Sequence, residues 1–246
     1  MSIAVKNVLV TGSNGFIGKN LCEQLGKIEN VKILNFNRDT PFNFIEKNIE
    51  RIDFIFHLAG VSRSNNTEDF YISNCDLIKS IVDLLKKHKR SIPILMTSSI
   101  HALTDTDYGK SKKMAEEVLQ NYDNAFVYRL SNVFGKWCKP NYCSVVATFC
   151  YNISHGLDIV VTNKNNKLQL IYIDDVVEEF IKVFKTGFSS NKKDGFYYVR
   201  PVYEVTVDEL SKKIEDFKKK ISSSDFLKTN DEFTKKLFLT YLSYFN

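Results

Sequence analysis

The chain has 246 residues, of which 43% are hydrophobic and 26% charged, with 4 prolines and a formal net charge of +5. This length supports one large domain or two small ones with a real hydrophobic core, so neither disulfides nor a structural metal is needed for stability. The composition excludes collagen-like, low-complexity and disordered chains, and no run approaches the ~20 unbroken apolar residues of a membrane span.

The predicted elements alternate over the first half. Residues 5–11 (VKNVLVT) form a continuous β-branched run, as expected of a strand buried on both faces. A helix is expected over 15–27, with Phe16, Ile17, Leu21 and Leu25 on one face. Strands follow at 31–37 and 52–59. A helix over 74–89 carries Leu77, Ile78, Ile81, Val82, Leu84 and Leu85 on one face. Then come a strand at 92–99, a helix over 108–122 and a strand at 125–131. This alternation predicts an α/β fold with a doubly wound, mostly parallel, Rossmann-like sheet. After residue 132 the pattern loosens. It reads as a long polar-aromatic loop (134–143), a helix (144–156), strands at 158–162 and 168–173, a helix (175–187), a strand (196–200), an amphipathic helix (204–222) and a helical end (231–245). These later pieces interleave with the sheet. A single domain over 1–246 is therefore expected, with 1–132 mainly the sheet core and 133–246 mainly a substrate-covering lobe.

The start MSIAVKNVLV lacks the apolar run and cleavage site of a signal peptide, so a cytoplasmic location is expected. The 5 cysteines, Cys22, Cys75, Cys138, Cys143 and Cys150, are odd in number and include no C-x-x-C. They read as free thiols, and no metal is expected; a zinc set of Cys138, Cys143 and His155 has no paired ligand motif behind it. Much of the positive charge sits in LLKKHKR and KKIEDFKKK, read as solvated helix faces, so neither nucleic acid nor a membrane is the expected partner.

TGSNGFIG (11–18) follows the first strand and opens the first helix. Gly12 permits a tight turn, Gly15 lets backbone approach a pyrophosphate, and Gly18 lets the helix pack against the strand. The helix N-terminus adds N–H groups and the positive end of a dipole. Gly12, Asn14, Gly15, Phe16, Ile17 and Gly18 are thus the expected dinucleotide cradle. At the end of the second strand an acidic residue would bind a ribose hydroxyl. NFNRDT stands there instead. Asn37 and Arg38 occupy that place, and Arg38 suits a 2′-phosphate, which favours NADP(H) over NAD(H), although Asp39 is a displaced acidic alternative.

Tyr108 and Lys112 lie four residues apart in YGKSK, on one face of a helix. A free phenol has a pKa near 10, and a neighbouring ammonium favours the phenolate, bringing Tyr108 toward working pH as a proton donor to a ketone oxygen. Thr97, Ser98 and Ser99 end the preceding strand and are the hydroxyl candidates for holding that oxygen.

These residues resemble the extended short-chain dehydrogenase/reductases, which include nucleotide-sugar epimerases, dehydratases and reductases. The resemblance makes Ser99 the active hydroxyl beside Tyr108 and Lys112, both of which also contact the cofactor, with Thr97 and Ser98 lining the cofactor. HLAG (57–60) is similar to the segment that lines the adenine and ribose side, giving Leu58, Ala59 and Gly60. Asn74 stands where the family has an asparagine in its central helix. RLSNVFG (129–135) resembles the segment whose asparagine, here Asn132, contacts the sugar nucleotide, and YIDD (172–175) resembles a later, mainly structural motif. Helix 74–89 and the Tyr108 helix are the pair extended members commonly use to form a homodimer.

A narrower resemblance rests on FGKWCKPNYCSVVATFCY (134–151), the short gap from Ser99 to Tyr108, and the ending LFLTYLSYFN. These are similar to the reductase domain of the CapF-type (FnlB-type) capsular polysaccharide reductases. That implies NADPH-dependent reduction of the C4 keto group of a UDP-2-acetamido-2,6-dideoxy-hexos-4-ulose, giving UDP-N-acetyl-6-deoxy-talosamine on the way to N-acetylfucosamine in capsule or O-antigen. The group's zinc-dependent cupin epimerase is not expected within these 246 residues. For such a substrate Lys136 and Lys139 suit the diphosphate, Trp137 and Tyr142 the uracil or sugar, and Asn141 the sugar hydroxyls or acetamido group, with Arg63 a further anionic contact. Two alternatives stay open: a UDP-sugar 4-epimerase with tightly held NAD, and a non-catalytic NADP(H)-sensing protein on the same fold. Dehydratase chemistry is disfavoured because Ile100 and His101, not an acidic pair, follow Ser99.

Overall fold

The computed structural model describes residues 5–219 and 225–245. The chain forms two compact units. The first holds the residues up to Leu130 together with Val177–Val199; the second holds Ser131–Val176 together with the residues from Arg200 on.

In the first unit the chain runs through β1 (Lys6–Thr11), α1 (Phe16–Leu25), β2 (Val31–Phe36), α2 (Asn43–Asn48), β3 (Ile52–His57), α3 (Thr67–Tyr71), a π-helical turn (Ile72–Asp76), α4 (Leu77–Lys87), β4 (Ile94–Ser99), a 3-10 turn (Ile100–Leu103), α5 (Asp107–Gln120) and β5 (Ala125–Leu130). It then supplies β6 (Asn132–Phe134), α6 (Val145–Ser154), β7 (Lys167–Tyr172) and the first turn of α7 (Ile173–Thr186) to the second unit. The rest of α7, with β8 (Lys192–Lys193) and β9 (Phe196–Tyr197), belongs to the first unit. β10 (Tyr203–Thr206), α8 (Val207–Lys219), α9 (Asp225–Lys228) and α10 (Glu232–Leu242) complete the second.

The first unit is built on a seven-stranded sheet in the order β2-β1-β3-β4-β5-β9-β8, parallel except for the last pair. Thr11 lies opposite Phe36 of β2 and His57 of β3, so these strands end level with one another. From β1 the chain goes out to edge strand β2 and returns across β1 to β3. Ligands of open α/β sheets bind in the crevice outside the carboxyl ends where strand order reverses in this way. Both faces are covered, which explains the unbroken apolar runs. On one face Leu9, Ile55, Ile94 and Met96 pack with Ile78, Ile81 and Leu85 of α4 and with Ala115 and Leu119 of α5. On the other, Phe54 and Phe56 meet α7: Phe54 is edge-on to Phe184 at 5.3 Å, and Phe180 lies 6.4 Å from Phe56 and 5.1 Å from Tyr128.

The second unit has a smaller sheet, β10-β7-β6, with β6 parallel and β10 antiparallel to β7. Thr206 and Glu209 begin α8 with reciprocal bonds: Glu209 N donates to Thr206 Oγ1 at 3.2 Å, and Thr206 N to Glu209 Oε2 at 2.8 Å. Phe217 of α8 packs edge-on against Phe238 of α10 at 5.1 Å. Asp175, in the YIDD segment, accepts from Lys236 of α10 at 2.8 Å, and Lys236 also donates to Tyr203 Oη at 3.1 Å.

Four expectations change. Residues 158–162 are not a strand; they have no pairing partner among the described residues, and Val160 is 78% exposed. The helix expected over 204–222 starts at Val207, because the β-branched segment before it pairs with β7; residues 220–222 lie outside the described residues. The strand expected at 196–200 pairs only over Phe196–Tyr197. The helix expected from residue 74 starts earlier, at Thr67, where Asn66 caps it by accepting from Glu68 N at 3.1 Å. Among the described residues no helix is long and apolar enough to cross a membrane.

Removing the ring that joins α7 to the sheet leaves a cavity. Phe180→Ala is expected to lower unfolding free energy by about 3–5 kcal/mol. Val160→Ser, in the exposed segment once expected as a strand, is expected to change it by less than about 0.5 kcal/mol. Urea denaturation of both variants checks the contrast.

Candidate active site

The glycine turn closes at the reversal point of the large sheet. Gly12 has φ +69°, and a side chain on it would place Cβ 2.8 Å from the Cα and N of Ala59. This position therefore needs glycine both for its conformation and for its approach to the segment after β3. A Cβ on Gly18 would lie 2.1 Å from the Gly12 carbonyl oxygen. Gly18 thus lets α1 close on the turn itself, where packing on the strand was expected. Gly15 N donates to Gly12 O at 2.9 Å. Gly15 is also the N-cap of α1 and has no side chain to cap it, and the first bond along the helix runs from Lys19 N to Gly15 O. The N–H groups of Phe16, Ile17 and Gly18 consequently have no backbone acceptor among the described residues, the arrangement that receives a phosphate.

Asn37 fastens the end of β2 to this turn. Its Oδ1 accepts from Asn14 N at 2.9 Å and from Ser13 Oγ at 3.1 Å. Asn37 N donates to Thr40 Oγ1 at 3.1 Å and Thr40 N to Asn37 O at 2.9 Å, so residues 37–40 form a closed turn with Arg38 and Asp39 exposed on it. An amide already bonded to the glycine turn stands where a ribose-binding carboxylate would be, and a guanidinium is exposed beside it.

Thr11 links the glycine turn to HLAG, a role the sequence reading did not assign. Its Oγ1 accepts from Ala59 N at 3.2 Å and bonds His57 Nδ1 at 3.1 Å. His57 is fully buried, and burial, with the nearby Lys112 charge, lowers its pKa to about 3, so it stays neutral. Its Nε2 is buried without a hydrogen-bond partner among the described residues.

Ser99, Tyr108 and Lys112 come from β4 and α5 of the same unit. Ser99 Oγ accepts from His101 N at 3.1 Å, which leaves the serine proton for another acceptor. The Tyr108 ring stands between Phe70 of α3, edge-on at 6.2 Å, and the His101 imidazole at 6.5 Å. Lys112 is buried and donates to Thr97 O at 3.2 Å. Burial lowers its pKa to about 8, partly offset by the carboxylate of Glu116 one turn along the helix. Gly60 leaves room for the same ammonium, since a Cβ there would be 3.1 Å from Lys112 Nζ and 2.5 Å from Asn74 Oδ1.

Two expected cofactor residues spend their side chains on the protein. Asn74, in the π-helical turn, accepts from Val61 N at 2.9 Å and donates to Val61 O at 3.1 Å and Ser111 Oγ at 2.9 Å. Ser98 Oγ donates to Glu116 at 2.5 Å. Glu116, itself buried, also accepts from the half-buried Arg129, from Nε at 2.9 Å and Nη2 at 2.7 Å. Glu116 was not anticipated, though its place at Lys112+4 puts it on the same helix face.

The expected sugar-nucleotide segment lies in the second unit. Lys136 Nζ lies over the Trp137 ring at 4.4 Å and Lys139 Nζ over the Tyr142 ring at 5.3 Å, giving two cation–aromatic pairs on one exposed loop. Asn141 is held to α6, its N donating to Thr148 Oγ1 at 3.0 Å and its Nδ2 to Asn152 Oδ1 at 3.4 Å. Asn132, in β6, donates to Gln169 O at 3.3 Å. Arg63, in the first unit, is exposed. The five cysteines carry free thiols, and no group of three His, Cys, Asp or Glu side chains among the described residues is placed to hold a metal.

Comparison with known proteins places this geometry. The NAD dependent epimerase/dehydratase family matches residues 8–196. The chain is 40% identical over 242 residues to the UDP-2-acetamido-2,6-beta-L-arabino-hexul-4-ose reductase of Pseudomonas aeruginosa, covering 96% of this chain and 64% of that protein. The crystal structure of the capsular polysaccharide assembling protein CapF from Staphylococcus aureus matches with a TM-score of 0.84 and 36% identity, over 98% of this chain and 66% of that one. The chain thus spans about two thirds of the length of both. UDP-glucuronic acid 4-epimerase from Bacillus cereus, in complex with NAD, shares the fold at 14% identity and a TM-score of 0.79, over 97% of this chain and 96% of that one. The chain therefore belongs to the NAD dependent epimerase/dehydratase family.

Proposed function

We propose that the chain is an NADPH-dependent oxidoreductase that reduces the C4 keto group of a UDP-2-acetamido-2,6-dideoxy-hexos-4-ulose in capsule or O-antigen sugar-nucleotide synthesis. The observation that carries the chemistry is the buried Lys112 ammonium, on one helix face with Tyr108 and accommodated by Gly60, where a Cβ would lie 3.1 Å from it. The substrate class comes from the 40% identity to the Pseudomonas aeruginosa reductase. A bound reduced nicotinamide supplies the hydride.

The remaining work falls to this chain's own groups. The free N–H groups at the start of α1 receive the pyrophosphate, and Arg38 meets the 2′-phosphate. Ser99, its oxygen already accepting from His101 N, donates a hydrogen bond to the ketone oxygen and keeps its proton. Tyr108 transfers a proton to that oxygen as negative charge develops on it. Lys112, held by Thr97 O, stabilises the resulting phenolate. The lysine–aromatic pairs at Lys136–Trp137 and Lys139–Tyr142 suit a diphosphate and a uracil ring. The reading includes a homodimer through α4 and α5, on whose side of the unit Ile72 and Met114 are exposed.

NMR of the product after incubation with NADPH and the UDP-4-keto sugar tests the reading: a C4 alcohol is expected, and Tyr108→Phe is expected to lower kcat by about 10²–10⁴-fold. NADPH binding without turnover on any UDP-keto sugar, or tightly bound NAD in the purified protein, would sink it. Arg38→Ala is expected to raise KM for NADPH by roughly 10–100-fold and to leave NADH almost unchanged, since a charge-assisted bond contributes about 1.5–3 kcal/mol; steady-state kinetics with both cofactors reads this.

Lys112→Met separates stability from activity. A lysine with a folded pKa of about 8 and an unfolded value of 10.5 binds fewer protons folded than unfolded between those values, so wild-type stability rises with pH across that window. The Met variant lacks this gain. Inactive Lys112→Met is expected to be the more stable protein at pH 7, with its advantage shrinking as pH rises from about 8 toward 10.5. Denaturation at several pH values measures the difference.

A further inference from the structure

Consecutive residues of β4 hold different parts of one polar cluster. Thr97 O accepts from the Lys112 ammonium at 3.2 Å, and Ser98 Oγ donates to Glu116 at 2.5 Å. Arg129 of β5 lies opposite Ser98 in the strand register, and its guanidinium holds Glu116 through Nε at 2.9 Å and Nη2 at 2.7 Å. The Phe196 ring backs that guanidinium, with its centroid 3.5 Å away. An ion pair serving only to tie α5 to β5 has no need of the helix face that carries Tyr108 and Lys112. This one sits on that face, one turn beyond the lysine.

Glu116 is 1% exposed and Lys112 7% exposed. Charges withdrawn from water act on each other several times more strongly than charges at the surface. The carboxylate favours the ammonium form of Lys112, against the burial that lowers it to about 8. Arg129 is a second cation on the same carboxylate, and its field opposes that pull. The other titratable groups around Lys112 do not take over this work. His57, at the end of β3, is kept neutral by its burial, and Tyr108 precedes Lys112 by one turn on α5. Charged groups on the remaining elements against α5, such as Asp69 of α3, Asp76 of the π-helical turn, Lys79 of α4 and His101 of the 3-10 turn, are exposed to water.

We propose that Glu116 and Arg129 are positioning residues that set the charge of Lys112: the carboxylate holds it as an ammonium, and the guanidinium limits that hold. The inference deepens the reductase reading, on which its bearing on turnover rests.

Carbon NMR of the lysine side chains in the free protein follows Lys112, whose signal is identified by its loss in Lys112→Met. Glu116→Gln is expected to move its titration to lower pH and Arg129→Met to higher pH, each by about 1 pH unit. Glu116→Asp and Arg129→Lys disturb the same close contact but keep its charges, and are expected to titrate within about 0.5 pH unit of wild type. Shifts in one direction for both charge-removing variants, no shift in either, or equal shifts in the charge-keeping variants would overturn the proposal. If one charge-removing variant does not fold, the sign seen in the other decides. With NADPH and the UDP-4-keto sugar, the alkaline limb of kcat/KM is expected to move in the same directions as the NMR titration. A limb that stays fixed while the titration moves would overturn the positioning role. The expected NMR shifts in a protein without turnover would support the charge assignment and overturn the reductase reading alone.

Discussion

An ammonium group removed from water is the constraint around which the first unit is arranged. Lys112 is buried, and burial lowers its pKa to about 8. What offsets part of that burial is local, the Glu116 carboxylate one turn on, and the ammonium also donates to the Thr97 carbonyl at 3.2 Å. Glu116 is itself a buried charge and is tolerable only because Arg129 grips both of its oxygens and Ser98 donates to it. The Arg129 guanidinium in turn lies 3.5 Å from the centroid of the Phe196 ring, so the partnership extends from α5 across β4 and β5 to β9. Gly60 and Asn74 complete the enclosure: a Cβ at Gly60 would lie 3.1 Å from Lys112 Nζ and 2.5 Å from Asn74 Oδ1, and Asn74 sits in the π-helical turn that leads into α4.

The fold brings these pieces together through one topological event. β1 ends in a glycine turn, the chain travels to the sheet edge and back, and β3 re-enters beside β1 with its own carboxyl end level with the turn. Thr11 then joins the two ends by a single oxygen that touches both Ala59 N and His57 Nδ1. The second unit has its own sheet, its own aromatic core and its own anchor, in which Lys236 of α10 fastens the start of α7 through Asp175.

Much of this was legible in the residues. The β-branched and aromatic strands of the first unit are recognisable because burial on both faces demands apolar side chains throughout, and the glycine turn because its backbone leaves no room for a Cβ. The segment at 158–162 misled for the complementary reason. Its β-branched residues have strand propensity, but propensity cannot supply a neighbouring strand, and this stretch has none among the described residues. Thr206 and Glu209 carry a helix-start signature that places the beginning of α8 better than the apolar spacing did. The purposes of Ser98 and Asn74 could not be read in advance, because a polar residue near a cofactor loop looks the same whether it faces a ligand or a buried carboxylate.

The turn that ends β2 has a consequence for how such proteins diversify. Its shape is held by Asn37 and Thr40, through bonds to the glycine turn and to each other, while Arg38 and Asp39 ride on it exposed. In the proposed reading, the residues that meet the ribose are thus separate from the residues that maintain the backbone. Substitutions at the two exposed positions can accumulate with little penalty to folding, so, on the proposed reading, cofactor preference is an evolvable surface trait, open to drift and to engineering without any rebuilding of the sheet beneath it.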